Sequence, residues 1–436
     1  MSFIFLLLKE KMINSEEVRK LFLNFFEKRG HKIVSSSSLI PYDDPSVLLT
    51  TAGMQQFKKY YTREKDPNKD FGTQRTVSIQ KCFRTTDIDE VGDERHLTFF
   101  EMLGNFSFGP VGEDNPLDFG TSGYFKKSAI YWAYEFLTKE LSLNIDYVTI
   151  FGGEKDVPLD EDSLKIWQEI GINKIEKRGR EDNFWGPTGD EGPCGPTTEI
   201  YLEGIEVWNL VFNEYYQDKN KNLKKLEFPG VDTGMGFERL MKVLQKTETI
   251  FETDLFMPLY EVLEEIQGEI RRKRIIMDHL RGSVFLVADG LYPSNLERGY
   301  ILRRILRRIL LHSKFLNLSF EKIEEMIKKV IEKYQEFYPE LRNFEKIKKV
   351  IFDELNAFEE TLKNSLREFE KRIKENDSDE VLGEKVFYLY TSYGLPYEIS
   401  KELLKEKGII FSERAERVFK ELFEKHRQIS KGENHG

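Results

Sequence analysis

Cysteine is almost missing from this chain: Cys82 and Cys194 are the only two in 436 residues. Two thiols cannot complete a zinc site by themselves or staple a chain of this length. Neither a structural zinc nor a disulfide framework is therefore expected, and a reduced, cytoplasmic compartment follows. Histidine is also sparse, with six scattered residues and no HxxxH pair. Excess positive charge is lacking too. A net charge of -10 argues against indiscriminate coating of nucleic acid but leaves room for a local basic patch. Long apolar runs are absent as well. The opening MSFIFLLLKEK is too short to span a bilayer and has neither a basic leader nor a cleavage site. It reads as a disordered extension or an upstream start, with structure expected from near Met12. No internal repeat is visible.

What remains is an ordinary globular composition, 39% hydrophobic and 33% charged, long enough for two or three domains and a substantial core. A first helix is marked by a cap at Asn14 or Ser15, Glu17 in its first turn and Gly30 at its end. Val18, Leu21, Phe22, Phe25 and Phe26 share one face of it. From Lys32 to about Asn213 the pattern changes to short strand-like runs between Gly/Pro loops. These are Ile33–Ser35, Val77–Gln80, Thr98–Leu103, Tyr147–Phe151, Glu199–Leu202 and Glu206–Phe212, with helices at Tyr124–Lys139 and Asp162–Ile170. Runs of strands with few helices between them predict an α+β fold with a largely antiparallel sheet. From Phe237 to about Arg427 the chain reads as charged, amphipathic helix. Pro110–Gly123 reads as a solvated surface insertion.

Two segments carry the chemistry: Arg95–Gly109 (RHLTFFEMLGNFSFG) and Val231–Leu240 (VDTGMGFERL). Arg84 and Arg95 flank TTDIDEVGDE, the predicted loop of a hairpin that would bring both guanidinium groups over one site. Their planar forks suit phosphate oxygens; solvent-exposed pairing with Asp87, Asp89 or Glu90 is the plain alternative. Phe99 and Phe100 point to opposite faces of a strand. Phe100 is the better candidate for a flat base, with Arg239 on the base's other face. Gly234 and Gly236 predict a turn before a helix that Arg239 opens. Asp232, ahead of that turn, is either an N-cap or the partner of an ammonium group. Between Arg271 and Lys314 there are eleven Lys or Arg against three Asp or Glu. Within this stretch Arg303, Arg304, Arg307 and Arg308 alternate with Ile-Leu pairs. An arginine-only face in an acidic chain favours a phosphate backbone over plain solvation.

These segments resemble the alanyl-tRNA synthetase family in order along the chain. The others that do so are Leu39–Phe57 (LIPYDDPSVLLTTAGMQQF), Gln80–Arg84 (QKCFR), Gly192–Ile200 (GPCGPTTEI), Val207–Phe212 (VWNLVF) and Ala288–Arg308 (ADGLYPSNLERGYILRRILRR). The resemblance runs from about Met12 to the last residue. It implies a class II catalytic domain over 12–242 and a helical tRNA-recognition domain over 243–436. The implied reaction joins L-alanine to tRNA(Ala) by way of an adenylate, using ATP and Mg2+. Arg84, Arg95 and Arg239 would carry catalysis, with Arg84 at the α-phosphate and Arg95 or His96 at the outer phosphates. Phe100 and Arg239 would sandwich adenine, and Glu199 would hold magnesium or the ribose. Trp185, Asn209, Val211, Asp232 and Gly234 would form the alanine pocket. Asn295 would read the acceptor-stem G·U pair, with Arg298, Arg303, Arg304, Arg307, Arg308 and Thr391 also facing tRNA. Such a protein would have no membrane association and would act as a monomer. Two other functions fit parts of the pattern: a paralogue that adenylates alanine for another acceptor, and a non-catalytic tRNA-binding protein.

The chain departs from the family pattern in places. The Arg84–Gly92 loop is short and lacks a Gly-Gly-Lys-His-Asn stretch. Leu389–Gly394 reads LYTSYG, so Thr391 replaces the aspartate expected to assist Asn295, and weaker discrimination at the G·U pair is expected. The chain stops where an editing domain and an oligomerisation domain would follow. Mischarging with serine and glycine is expected, corrected by a separate deacylase in trans if at all.

Overall fold

The computed structural model describes residues 13–42, 44, 47–154, 156–187 and 189–432. The apolar opening Met1–Lys11 and the expected start at Met12 lie outside the described residues. Helix α1, Ser15–Glu27, begins with a reciprocal capping box. Asn14 accepts from the Glu17 N–H, and Glu17 accepts from the Asn14 N–H. It buries Val18, Phe22, Phe25 and Phe26, while Leu21 stays only partly covered. Phe22 meets Phe26, Phe136 and Trp208 with ring centroids 5.0, 5.3 and 5.9 Å apart. Such tilted aromatic pairs each add about 1 kcal/mol beyond the area they bury.

Nine strands form one sheet: β1 Lys32–Ile33, β2 Arg75–Phe83, β3 Phe99–Phe108, β4 Tyr147–Phe151, β5 Ile175–Arg178, β6 Phe184–Trp185, β7 Gly192–Leu202, β8 Ile205–Gln217 and β9 Leu223–Gly236. Their order is β1-β2-β3-β9-β8-β7-β4-β5, with β6 pairing β7 off this path. Only β1–β2 and β4–β5 are parallel; every other pairing is antiparallel, as the predicted α+β fold requires. Helices α2, Lys126–Glu135, and α3, Glu161–Ile170, pack against the sheet where helices were predicted.

The sequence reading needs correcting in this half at two points. Residues 234–236 are not a turn but the end of β9, seated between β3 and β8. The two glycines suggested a break, yet the close approach of neighbouring strands needs small residues: a Cβ on Gly104 of β3 would meet the Thr233 carbonyl oxygen at 2.4 Å. The insertion Pro110–Gly123 is also tied down. Asp114 accepts from the Phe125, Lys127 and Ser128 N–H groups and so caps α2 from outside the helix. Asp118 pairs with buried Arg75 at 3.1 Å.

After Gly236 the chain is helical: α4 Phe237–Gln245, α5 Met257–Leu263, α6 Ile270–Ala288, α7 Glu297–Phe315, α8 Phe320–Tyr334, α9 Phe344–Arg372, α10 Asp379–Tyr393, α11 Tyr397–Glu406 and α12 Glu413–Gly432. Among the described residues no helix is long and apolar enough to cross a membrane. The apolar core runs without interruption from the sheet into these helices. Phe99 stacks on Phe285 of α6, with centroids 4.1 Å apart and planes at 14°. Buried ion pairs join the same layers: Arg19 to Glu101 at 2.5 Å and Arg281 to Glu238 at 2.8 Å. Breaking either by removing one partner would leave an uncompensated buried charge, at a cost of roughly 3–5 kcal/mol.

Candidate functional site

A cleft of about 450 Å³ opens on one face of the sheet. Its floor follows the two-residue period of the strands: Phe100 and Met102 from β3, Val207, Asn209 and Val211 from β8, Asp232, Gly234 and Gly236 from β9. The alternation that turns Phe99 into the core turns Phe100 into the cleft. Glu199, Glu206, Trp185 and Arg239 line it as well, with Arg84, Arg95 and His96 from the β2–β3 loop. All residues assigned from sequence to ATP and alanine therefore lie around one cleft.

One end is cationic. Among the described residues Arg84 and Arg95 meet no carboxylate within salt-bridge distance, so the alternative pairing with Asp87, Asp89 or Glu90 is not formed. The Arg84 guanidinium instead lies over the Phe100 ring, 4.8 Å from its centroid. His96 Nδ1 lies 2.6 Å from Asp93. Burial alone would push the Asp93 carboxyl up, but the His96 and Arg95 N–H groups donating to it bring it below its usual range. Arg239 does not lie over Phe100 in this state; its Nη1 donates to the carbonyl and carboxylate of Glu206 at 3.1 Å.

The other end is rich in acceptors. Asp232 is 5% exposed and pairs with no cation among the described residues; burial lifts its carboxyl from 3.8 to about 8. Asn209 Oδ1, also in the cleft lining, is buried without a hydrogen-bond donor. A carboxylate without a cation beside an acceptor without a donor demands a ligand that brings N–H groups and positive charge. Space there is limited: a Cβ on Gly234 would meet Met102 Sδ at 2.8 Å. Glu199 accepts from Thr149 and Tyr201 at 3.0 Å each, and burial followed by repulsion from Glu206 raises its carboxyl. Glu199 and Glu206, both lining the cleft, would suit a divalent cation that also takes oxygen ligands from phosphate and water, as Mg2+ prefers. Sequence reasoning missed Glu206 and Met102. Met102 lies two residues beyond Phe100 on the same strand face, a signal that was available; Glu206 had none.

The arginine helix α7 departs most from expectation. Arg308 is buried, not on a solvent face, and pairs with Glu402 at 2.9 Å. Arg303 and Arg307 both reach Glu354 at 3.0 Å, and Arg304 grips Asp89 at 2.6 Å. The local basic excess is balanced by acids brought in from other elements, while Arg303, Arg304 and Arg307 stay partly exposed. Asn295, in the turn before α7, accepts from Arg303 Nη1. Arg298 donates to the Leu48 carbonyl at 2.5 Å, and Thr391 is exposed on α10, its hydroxyl donating to the Phe387 carbonyl at 3.0 Å. His312, Glu402 and Glu406 converge closely enough for a metal, but Arg308, Arg271 and Arg272 pair with the two carboxylates.

The family described as tRNA synthetases class II (A) matches residues 17–436. The alanine–tRNA ligase of Rubrobacter xylanophilus is 40% identical over 458 aligned positions, covering 95% of this chain and 49% of that protein. That of Borrelia hermsii is 40% identical over 454 positions, covering 95% and 73%, and that of Thermotoga sp. 41% over 433 positions, covering 92% and 47%. The chain thus spans about half the length of most of these curated relatives. Among solved structures, an aspartyl tRNA synthetase from Entamoeba histolytica aligns at 14% identity with a TM-score of 0.32, over 56% of each chain; a likeness that weak carries no structural argument.

Proposed function

The chain belongs to the class II (A) tRNA synthetases, and from that premise we propose that it attaches alanine to tRNA(Ala) through an alanyl-adenylate, at the expense of ATP. The observation that carries this reading is the pairing of two opposite ends in one cleft. Among the described residues Asp232 pairs with no cation and Asn209 Oδ1 with no donor at one end, while at the other neither Arg84 nor Arg95 pairs with a carboxylate. Alanine meets the first with its ammonium group, ATP the second with its phosphates.

In the first step an alanine carboxylate oxygen attacks the α-phosphorus, the bond to the bridging oxygen breaks, and pyrophosphate leaves with the electron pair. In the second step a hydroxyl of the tRNA's terminal ribose attacks the adenylate carbonyl and AMP leaves. Neither step demands a dedicated base from the protein, so orientation and neutralisation of charge dominate. Arg84 holds the α-phosphate, and Arg95 and His96 hold the outer phosphates. Arg84 vacates the Phe100 face when adenine stacks there, and Arg239 covers the base from the other side. Asp232 fixes the ammonium, Asn209 accepts a further N–H, and Trp185, Val211 and Gly234 leave room for a methyl group. Glu199 and Glu206 would hold Mg2+, which would screen the phosphate charge when bound.

We assign adenylation to residues 12–242 and tRNA recognition to 243–436. Asn295, Arg298, Arg303, Arg304, Arg307 and Thr391 face the acceptor stem, and the protein acts in the cytoplasm, where aminoacylation is needed. Pyrophosphate exchange dependent on alanine, run beside aminoacylation of tRNA(Ala), tests this reading. Exchange with charging is expected. Exchange without charging would move the acceptor to another molecule, and folded protein without exchange would refute adenylation.

A further inference from the structure

Arg308 differs from the other arginines of α7. It is 2% exposed, and four of the five N–H groups of its guanidinium face acceptors. Nε and Nη2 donate to the two oxygens of Glu402 at 2.9 Å each, while Nη1 donates to the Ile88 carbonyl and, at 2.7 Å, meets His279 Nε2. A guanidinium cannot accept, so His279 Nε2 must be the acceptor and the ring proton sits on Nδ1. From there it donates to Asp278 Oδ2 at 2.8 Å. Burial, aided by the Arg308 charge, keeps the imidazole neutral, pushed down to about 4, in agreement with that tautomer. Asp278 then takes the Thr98 N–H on Oδ1 at 2.9 Å and the Thr98 hydroxyl on Oδ2 at 2.6 Å. Each link of this relay pairs a donor with an acceptor, and Asp278 and His279 are fully buried.

The chain ends at a defined place. Ile88 and Thr98 bracket the segment that carries Arg95 and His96, and the Thr98 carbonyl accepts from the Arg84 N–H at 2.8 Å. The backbone roots of Arg84, Arg95 and His96 are therefore anchored to α6 and α7 at two points, both reached from one guanidinium. We propose that Arg308 is a positioning residue for the phosphate-gripping β2–β3 loop and not a tRNA contact. It acts directly on Ile88 and, through His279 and Asp278, on Thr98. The inference rests on the reading that Arg84 and Arg95 bind the phosphates of ATP.

The test is equilibrium binding by calorimetry, on the full chain without tRNA, of a non-hydrolysable ATP analogue and separately of alanine. Arg308→Gln breaks the source of the relay; Glu402 keeps His312 and Arg271 as partners. Thr98→Val removes only the hydroxyl at its far end, and Thr98→Ser restores it. Thr98→Val should weaken the ATP analogue about tenfold, the effect of losing one hydrogen bond to a charged group, and Arg308→Gln, which removes several bonds at once, by at least as much. Alanine affinity should stay unchanged and Thr98→Ser should match wild type. Equal losses for both ligands would reveal a general loosening and overturn the proposal, as would unchanged ATP binding in Thr98→Val, which also decides the matter if Arg308→Gln does not fold. Wild type that binds alanine but no ATP analogue would remove the underlying reading of the loop instead.

Discussion

Replacing Asp232 with asparagine should make this protein more stable and inactive. The carboxyl is 5% exposed, pairs with no cation among the described residues, and is lifted by burial from 3.8 to about 8. An acid whose folded pKa lies above its unfolded value works against folding. The unfolded chain loses the proton first, near pH 4, and the folded chain keeps it to about pH 8, so stability falls through that window and levels off above it. At pH 7 the gap is ~3 pKa units, or on the order of 4 kcal/mol. Asp232→Asn removes the titration at nearly constant shape. Its melting temperature should exceed that of wild type by several degrees at pH 7 to 8, and the difference should vanish near pH 4. Alanine binding should move the other way. Without the carboxylate the ammonium has no partner, which costs roughly 3–5 kcal/mol, or about two to nearly four orders of magnitude in KM. Wild type should show the same linkage: below pH 8 its KM for alanine should rise about tenfold per pH unit as Asp232 protonates. Thermal melts across pH, with alanine titrations in pyrophosphate exchange, measure both. An Asp232→Asn protein that melts no higher than wild type at pH 8 and keeps its KM for alanine would refute the argument.

Three further outcomes can be checked. Phe100→Ala should raise KM for ATP about tenfold, since stacking one base on an aromatic ring is worth ~1–3 kcal/mol, and leave KM for alanine in place; an unchanged ATP KM would put the base elsewhere. Serine should be activated with kcat/KM only about 10²-fold below that of alanine, because a small pocket rejects an added hydroxyl weakly. No serine-dependent exchange at all would mean that the Asn209 and Met102 walls select more sharply than their size implies. Thr391→Asp should increase the preference for minihelices carrying G·U over G·C in aminoacylation, and an equal ratio in both proteins would remove Thr391 from base-pair reading.

Local signals were enough for much of the fold. The Asn14–Glu17 capping box starts α1 without help from any distant residue, and Tyr147–Phe151 is a strand over the predicted residues. The two-residue period that separates Phe99 from Phe100 also separates core from cleft. The long motifs around Arg84, Arg239 and Asp232 were legible because each holds several side chains within one or two strands. Tertiary structure decided the rest. Residues 234–236 looked like a turn because glycine favours turns on its own; only pairing with β8, the strand before, and with β3, far away in the chain, makes them strand. The arginine face looked free because its neighbours in sequence are apolar, whereas Asp89 lies 215 residues from Arg304 and Glu402 lies 94 from Arg308. The raised carboxyl of Asp232 arises from burial, and which elements come to cover a strand position is not written in its neighbours. The amino-acid order by itself determined periodicity, caps and the clustering of charge, which depend on near neighbours. Which charges meet, which stay unpaired and which are buried depended on long-range packing, because Coulombic and desolvation energies depend on distance in space rather than along the chain.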